Sequence, residues 1–417
     1  MRILKLTPQT EAMLIANRQG QDRNAYTVAA RIVEDVKRRK DTAVDEWTRK
    51  LDRVDVRGNK IWVTEREITA ATKRVPRDFL RAVRHAATNV RRVAEKQLPR
   101  EWSLQVESGV SIAQLVRPIE SIGCYVPGGR FALFSTMVMT VVPAQVAAVN
   151  RIVVVCPGAN DALLATAAVL GIKQLARIGG AQAVAALAYG TKRIEPVQKI
   201  FGPGNRYVTA AKQIISSECA IDLPAGPTEA IVLARNGNSR WIAADLLAQA
   251  EHAPDAGSYL VTTSARLAKQ VQQEVDAQLH RLPDTNPARS SCENTGAILL
   301  AGNWHEAIAF VNRFAPEHLS LPEHSPALLN RIRASGTIFV GHLSAQPFGD
   351  YATGSNHVLP TGGWARRRGG LSTNDFVKQI TVQSISPAGY CRLARGVQIM
   401  ARAEGLLAHD NAVEVRK

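Results

Sequence analysis

From Arg151 onward the chain alternates short β-branched runs with Ala-rich stretches of helical length, and this alternation restricts it to a layered α/β fold. Arg151–Val155, Gln174–Ile178 and Val197–Phe201 read as strands, and residues 136–149, 160–171, 181–189 and 204–217 read as helices. A second series follows, with Ala230–Ala234, Ser258–Thr262, Gly296–Leu300 and Thr337–Val340 as strands and helices between them. Strands that alternate with helices form βαβ units, and these assemble mainly parallel sheets. Asp222-Leu-Pro-Ala-Gly-Pro227 interrupts the pattern as a hinge, so two Rossmann-like α/β domains are expected. Residues 25–100 show helical spacing, and Val110–Ile122 reads as extended. From Ser372 a short helix, an extended run near Ile380–Ile385 and a long helix from Pro387 towards Glu404 form a small C-terminal extension.

A chain of 417 residues with 46% hydrophobic, 21% charged and 5% aromatic residues suits a soluble globular protein that buries its own core. The opening Met1-Arg-Ile-Leu-Lys-Leu-Thr-Pro has no apolar run of signal-peptide length, so export is not expected. Phe131–Asn150 is uncharged and about long enough to span a bilayer. It carries Ser135, Thr136, Thr140, Pro143 and Gln145, which favours a buried helix over a membrane segment. Five scattered cysteines (Cys124, Cys156, Cys219, Cys292, Cys391) without CxxC spacing indicate reduced thiols and a cytoplasmic setting. The formal charge is +16, and residues 1–100 hold 24 Lys and Arg against 13 Asp and Glu. No zinc-finger, helix-turn-helix or RNP signature accompanies that excess, so a solvated helical face is preferred to a nucleic-acid site. Arg366-Arg-Arg368 reads either as a steering site for an anionic cofactor or as a surface loop.

The chemistry concentrates in four polar segments: Gln249-Ala-Glu-His252, Pro316-Glu317-His318, Gly349-Asp350 through His357, and Glu404 through His409. Each sets imidazole beside carboxylate or amide, the nitrogen and oxygen donors that zinc accepts. Gln249 and His252 are three apart in the helical run Trp241–His252 and share a face. Asp350 lies in a turn-rich loop, and His409 follows Glu404 by five residues near the chain end. Taken singly, these also read as a surface helix, an Asx turn and a tail histidine. Together, one carboxylate, two imidazoles and an amide make a zinc-ligand set with open positions for substrate. Glu317 and His318 are adjacent; on a strand they point apart, whereas on a turn both reach one pocket as base and proton acceptor. The chain has no GxGxxG fingerprint. Gly202-Pro-Gly-Asn205 follows a strand and opens a helix, so it reads equally as a phosphate-binding turn or as a βα turn that needs glycine. Gly179-Gly-Ala-Gln182 lies at the same edge of the sheet.

Seven segments resemble, in order, those of the histidinol dehydrogenase family. They are Cys124-Tyr-Val-Pro-Gly-Gly-Arg130, Gly202-Pro-Gly-Asn205, Asp222-Leu-Pro-Ala-Gly-Pro-Thr-Glu229, Gln249-Ala-Glu-His252, Ala315-Pro-Glu-His-Leu319, Gly349–Gly362 and Glu404-Gly-Leu-Leu-Ala-His409. The resemblance covers nearly the whole chain, and Gly349–Gly362 is its most specific block. It implies a two-step, NAD-dependent oxidation of L-histidinol to L-histidine through L-histidinaldehyde. By that resemblance Gln249, His252, Asp350 and His409 bind one zinc ion per subunit, His318 takes the hydroxyl proton, and Glu317 activates water. Tyr125, Gln182 and Asn205 meet NAD. Thr228, His357 and Glu404 contact substrate together with His318 and the zinc ligands. It also implies a homodimer whose C-terminal tail completes the neighbouring site. The implied layout is an N-terminal arm (1–24), a substrate and metal domain (25–122 and 228–371), an NAD-binding domain (123–227) and a dimerisation tail (372–417).

Thr228 stands where the family usually has serine, and Phe131 and Phe134 flank a segment that is usually smaller and contains proline. These departures keep open an NAD-dependent dehydrogenase of another small amino or polar alcohol. A zinc hydrolase using the same ligands, with Glu317 as base, is a remoter alternative that would have no need for NAD.

Overall fold

The computed structural model describes residues 1–19, 22–128, 133–223, 226–323 and 325–417. Three sheets organise it. A six-stranded, wholly parallel sheet has the spatial order Arg2–Lys5, Ala297–Leu300, Gly257–Thr262, Glu229–Leu233, His318–Leu321, Thr337–Val340. A five-stranded parallel sheet runs Gln174–Ala176, Arg151–Val155, Ser121–Tyr125, Lys199–Phe201, Ala220–Ile221. The third sheet is small and antiparallel, with Val110–Pro118 between Trp102–Glu107 and Val377–Ile385.

The mainly parallel architecture follows from strand composition. Ser121–Tyr125, Glu229–Leu233, Gly257–Thr262 and His318–Leu321 are buried along their whole length, as strands covered by helices on both faces must be. Helices Phe134–Val146, Asp161–Val169, Gly180–Tyr189 and Arg206–Ile215 match the expected Ala-rich stretches to within a few residues at each end and cover the five-stranded sheet. Helix Phe134–Val146 is buried almost throughout, as its uncharged sequence requires. Among the described residues, no helix is long and apolar enough to cross a membrane.

Several boundaries differ from the sequence expectation. Residues 25–97 do not join the six-stranded sheet: helix Arg23–Arg39 packs on helices Gly180–Tyr189 and Arg206–Ile215, and helix Arg77–Gln97 packs on Phe134–Val146. Ala29, Ile32, Val33 and Val36 enter the same core as Val153, Val155 and Ile200. Helical periodicity shows that such a face needs a partner but not which sheet provides it. Residues 1–24 are not a free arm either, because Arg2–Lys5 forms an edge strand against Ala297–Leu300. The extended run 110–122 divides into two strands of different sheets, and the tail strand Val377–Ile385 returns to pair with the first of these. Phe131 lies outside the described residues. Phe134 packs edge-on against Phe79 at 5.0 Å.

Candidate active site

A cleft of ≈ 1480 Å³ opens between the two parallel sheets and is lined by residues of both. On the six-stranded side its wall is the amino edge of the sheet. Strands Glu229–Leu233 and His318–Leu321 run side by side with His318 in register with Ala230, which sets Glu317 beside Glu229. The Glu317 carboxylate, 6% exposed, accepts hydrogen bonds from the Thr228 hydroxyl (2.6 Å) and the Glu229 N–H (3.0 Å) on the same oxygen. Burial, with the nearby carboxylates of Glu229 and Asp350 adding to it, pushes its pKa up to about 8.

His318 is also buried, and there the imidazolium is the disfavoured form: burial first, then the neighbouring His252 and His357, lowers its pKa to about 3. Its Nδ1 faces the Glu229 carbonyl at 3.4 Å, so that nitrogen carries the proton. Its Nε2 is buried without a hydrogen-bond partner and lies 3.9 Å from the Asp350 carboxylate. Glu317 precedes the strand and His318 begins it, and both line the cleft, as the turn alternative required.

The zinc-type donors approach the same wall. Helix Ser239–Ala250 ends before His252, so Gln249 is helical and buried while His252 stands exposed in the turn that follows. His252 commits Nδ1 to the Ala248 carbonyl (3.0 Å), which leaves Nε2 free to face the cleft. Asp350, on the short helix Gln346–Tyr351, is held above the usual carboxylate range by burial, partly offset by His357 and His252. His357 packs against its backbone, with Nδ1 2.9 Å from the Asp350 carbonyl and Nε2 3.2 Å from the Thr136 hydroxyl across the cleft. Gln249 accepts from Gln346 (2.6 Å) through its carbonyl and donates to Thr228 (2.7 Å) through its amide. Thr228 has one hydroxyl proton and gives it to Glu317, so the donors run in one direction from Gln346 to Glu317. An imidazole, a carboxylate and an amide oxygen suit zinc in donor chemistry. Among the described residues no three His, Cys, Asp or Glu side chains converge as a complete cage.

On the other wall the five-stranded sheet presents its carboxyl edge. Gly202 ends that edge with φ +109°, and a Cβ there would lie 2.1 Å from the Tyr125 carbonyl, so only glycine fits. The turn is fixed from below: the buried Asp222 accepts from the Gly202 N–H (2.7 Å) and pairs with buried Lys212, which donates to the Gly202 carbonyl (2.8 Å). Asn205 lines the cleft and caps helix Arg206–Ile215 by accepting from the N–H groups of Tyr207 and Val208. Tyr125 and Gln182 are buried behind the glycine turn at 179–180 and do not line the cleft. The Tyr125 hydroxyl accepts from Gly180 (3.1 Å), and Gln182 donates to Asp52 (3.0 Å).

Of the four expected zinc ligands, His252 and Asp350 line the cleft, and Gln249 is fully buried behind it, reaching it through Thr228; Glu404 and His409 are exposed in the C-terminal segment and do not line the cleft of their own chain. Sequence reading missed Arg18, Glu229 and Gln346, all buried at the site. Glu229 heads an otherwise apolar strand, and that was the one signal available.

A family profile described as histidinol dehydrogenase matches residues 16–417. The chain is 45% identical to the histidinol dehydrogenase of Methanothermobacter thermautotrophicus over 90% of its own length and 89% of that protein's. It is 42% identical to that of Geobacter sulfurreducens, covering 97% and 96%. The crystal structure of histidinol dehydrogenase from Elizabethkingia anophelis superposes with a TM-score of 0.93 at 38% identity, covering 100% of this chain and 98% of that one.

Proposed function

The chain belongs to the histidinol dehydrogenase family, oxidoreductases of histidine biosynthesis, and we propose that it takes L-histidinol through L-histidinaldehyde to L-histidine in two NAD-dependent oxidations. The observation that carries this reading is the adjacency of two buried groups on one wall of the cleft, the Glu317 carboxyl, which burial shifts up, and the His318 imidazole, which burial shifts down. Bound NAD would accept the hydrides, and zinc would hold the nitrogens of the substrate.

His318 is neutral with its Nδ1 proton directed at the Glu229 carbonyl, so its unpartnered Nε2 is the atom that takes the alcohol proton. Glu317, held by Thr228 and the Glu229 N–H, activates the water that hydrates the aldehyde once its own proton has left. Gln249, His252 and Asp350 would hold zinc with His409, and Thr228, His357 and Glu404 would contact substrate. Asn205 and the Gly202 turn would meet NAD directly, with Tyr125 and Gln182 supporting the adjacent turn from behind.

Because Glu404 and His409 stand away from the cleft of their own chain, we assign them to the cleft of a second copy in a homodimer working in the cytoplasm. The exposed apolar side chains of the tail and of the small sheet, among them Leu104, Val106, Ile399, Met400 and Leu407, suit burial in such a contact. The test is NADH production from L-histidinol with zinc and NAD supplied, counted per histidine formed. Two NADH per histidine is the expected result. Absence of turnover, or zinc-dependent hydrolysis without NADH, overturns the reading.

A further inference from the structure

The backbone of one residue, Glu229, touches both members of the proton-transfer pair. The N–H of Glu229 donates to the Glu317 carboxylate at 3.0 Å, and the carbonyl of Glu229 faces His318 Nδ1 at 3.4 Å. Displacing this residue therefore disturbs the orientation of Glu317 and the tautomer of His318 together.

The Glu229 side chain is in turn held from a distant part of the chain. Arg18, on the N-terminal helix Pro8–Gln19, is 8% exposed and pairs with the Glu229 carboxylate at 3.2 Å. Its guanidinium lies 3.7 Å over the Phe314 ring and donates to the Phe314 carbonyl. The backbone N–H groups of Gly362 and Gly363 also reach the Glu229 carboxylate. A planar guanidinium is suited to this position because it can pair, stack and donate at once, which an ammonium cannot do. Burying two charges is costly, and an isolated strand opening needs no such pair, so stability alone is a weak reason for it.

We propose that Arg18 and Glu229 are positioning residues of the oxidation chemistry, with the N-terminal helix clamping through the Glu229 side chain the residue whose backbone N–H and carbonyl orient Glu317 and His318. The inference rests on the function proposed above for that pair. It also gives the first 19 residues a part in the active site, where the sequence suggested only an arm.

The test is Arg18→Ala in the full-length zinc enzyme, with oxidation of histidinol and of histidinaldehyde assayed separately. The expected result is a fall in kcat of about tenfold to a hundredfold in both half-reactions, the scale of effect of a small misplacement of reacting groups. KM for histidinol stays as in the parent. Guanidinium ion added to the variant restores kcat, because Arg18 lines the cleft and the ion can refill its place. If Arg18→Ala does not fold, Glu229→Gln is measured instead, and a smaller loss of the same two-sided kind is expected. A parent-like kcat, a change confined to KM, or loss in one half-reaction only overturns the inference. A parent enzyme that never oxidises histidinol overturns the functional reading itself and, with it, this assignment.

Discussion

The two parallel sheets meet the cleft with opposite ends. The five-stranded sheet offers its carboxyl edge, where strands end and helices begin, as ligand sites of open α/β sheets commonly do. The six-stranded sheet offers its amino edge, with Glu229 and His318 as the first residues of their strands and Gln249 near the end of its helix. The physical consequences differ. A carboxyl edge supplies glycine turns, backbone N–H groups and the positive ends of helix dipoles, which favour anions such as a dinucleotide pyrophosphate. An amino edge supplies helix C-termini, which favour cations, and side chains at strand openings. Under the proposed function, metal and proton transfer would fall in the second environment and the dinucleotide in the first.

The sharpest way to break that division is to remove the proton-transfer groups. His318→Ala should lower the first oxidation by about a hundredfold to ten-thousandfold, the usual range for a lost general base. Glu317→Gln should still oxidise the alcohol and release one NADH per site before stalling at the aldehyde. Rapid mixing with substoichiometric enzyme, reading NADH at 340 nm, separates the two. Equal loss of both half-reactions in Glu317→Gln would remove the distinction between the roles.

A smaller effect should appear with pH, and it differs between the two groups although they are neighbours. The Glu317 pKa is raised to about 8, so the carboxylate needed as base is lost as pH falls through that value. His318 is lowered to about 3, so its base form persists across the neutral range. The aldehyde step should therefore slow by about tenfold per unit below pH 8, while the alcohol step stays flat down to about pH 5. Parallel pH profiles for the two steps would contradict the separate environments.

What the sequence revealed divides along the same line. Strand and helix alternation is local, so both parallel sheets were visible in it, and the polar segments marked the amino-edge wall because four of the chain's nine histidines stand in them beside carboxylates or amides. Long-range assignments were not visible. The pairing of Arg2–Lys5 with Ala297–Leu300, the docking of helix Arg23–Arg39 on the helices that cover the five-stranded sheet, and the meeting of Arg18 with Glu229 join residues more than a hundred positions apart. A charged residue destined for a buried pair looks like any surface charge until its partner is placed. Tyr125 and Gln182 illustrate the converse: their segment was recognised, but that they stand behind the turn and not on the cleft wall depends on packing.

The smallest expected effect tests the carboxyl edge alone. Asn205 spends its side-chain oxygen on the N–H groups of Tyr207 and Val208, so it stabilises helix Arg206–Ile215 and shapes the turn that Gly202 begins. Asn205→Ala frees both donors and should cost about 1 kcal/mol of stability, the usual worth of an N-cap, seen as a lower thermal midpoint. The helix start then frays beside the cleft, so KM for NAD should rise while KM for histidinol and the chemical step are unchanged. Urea unfolding and initial rates at varied NAD measure these quantities independently. If KM for histidinol rises as much as KM for NAD, the two edges do not act separately, and the cofactor and substrate share one environment despite the opposite polarity of their sheets.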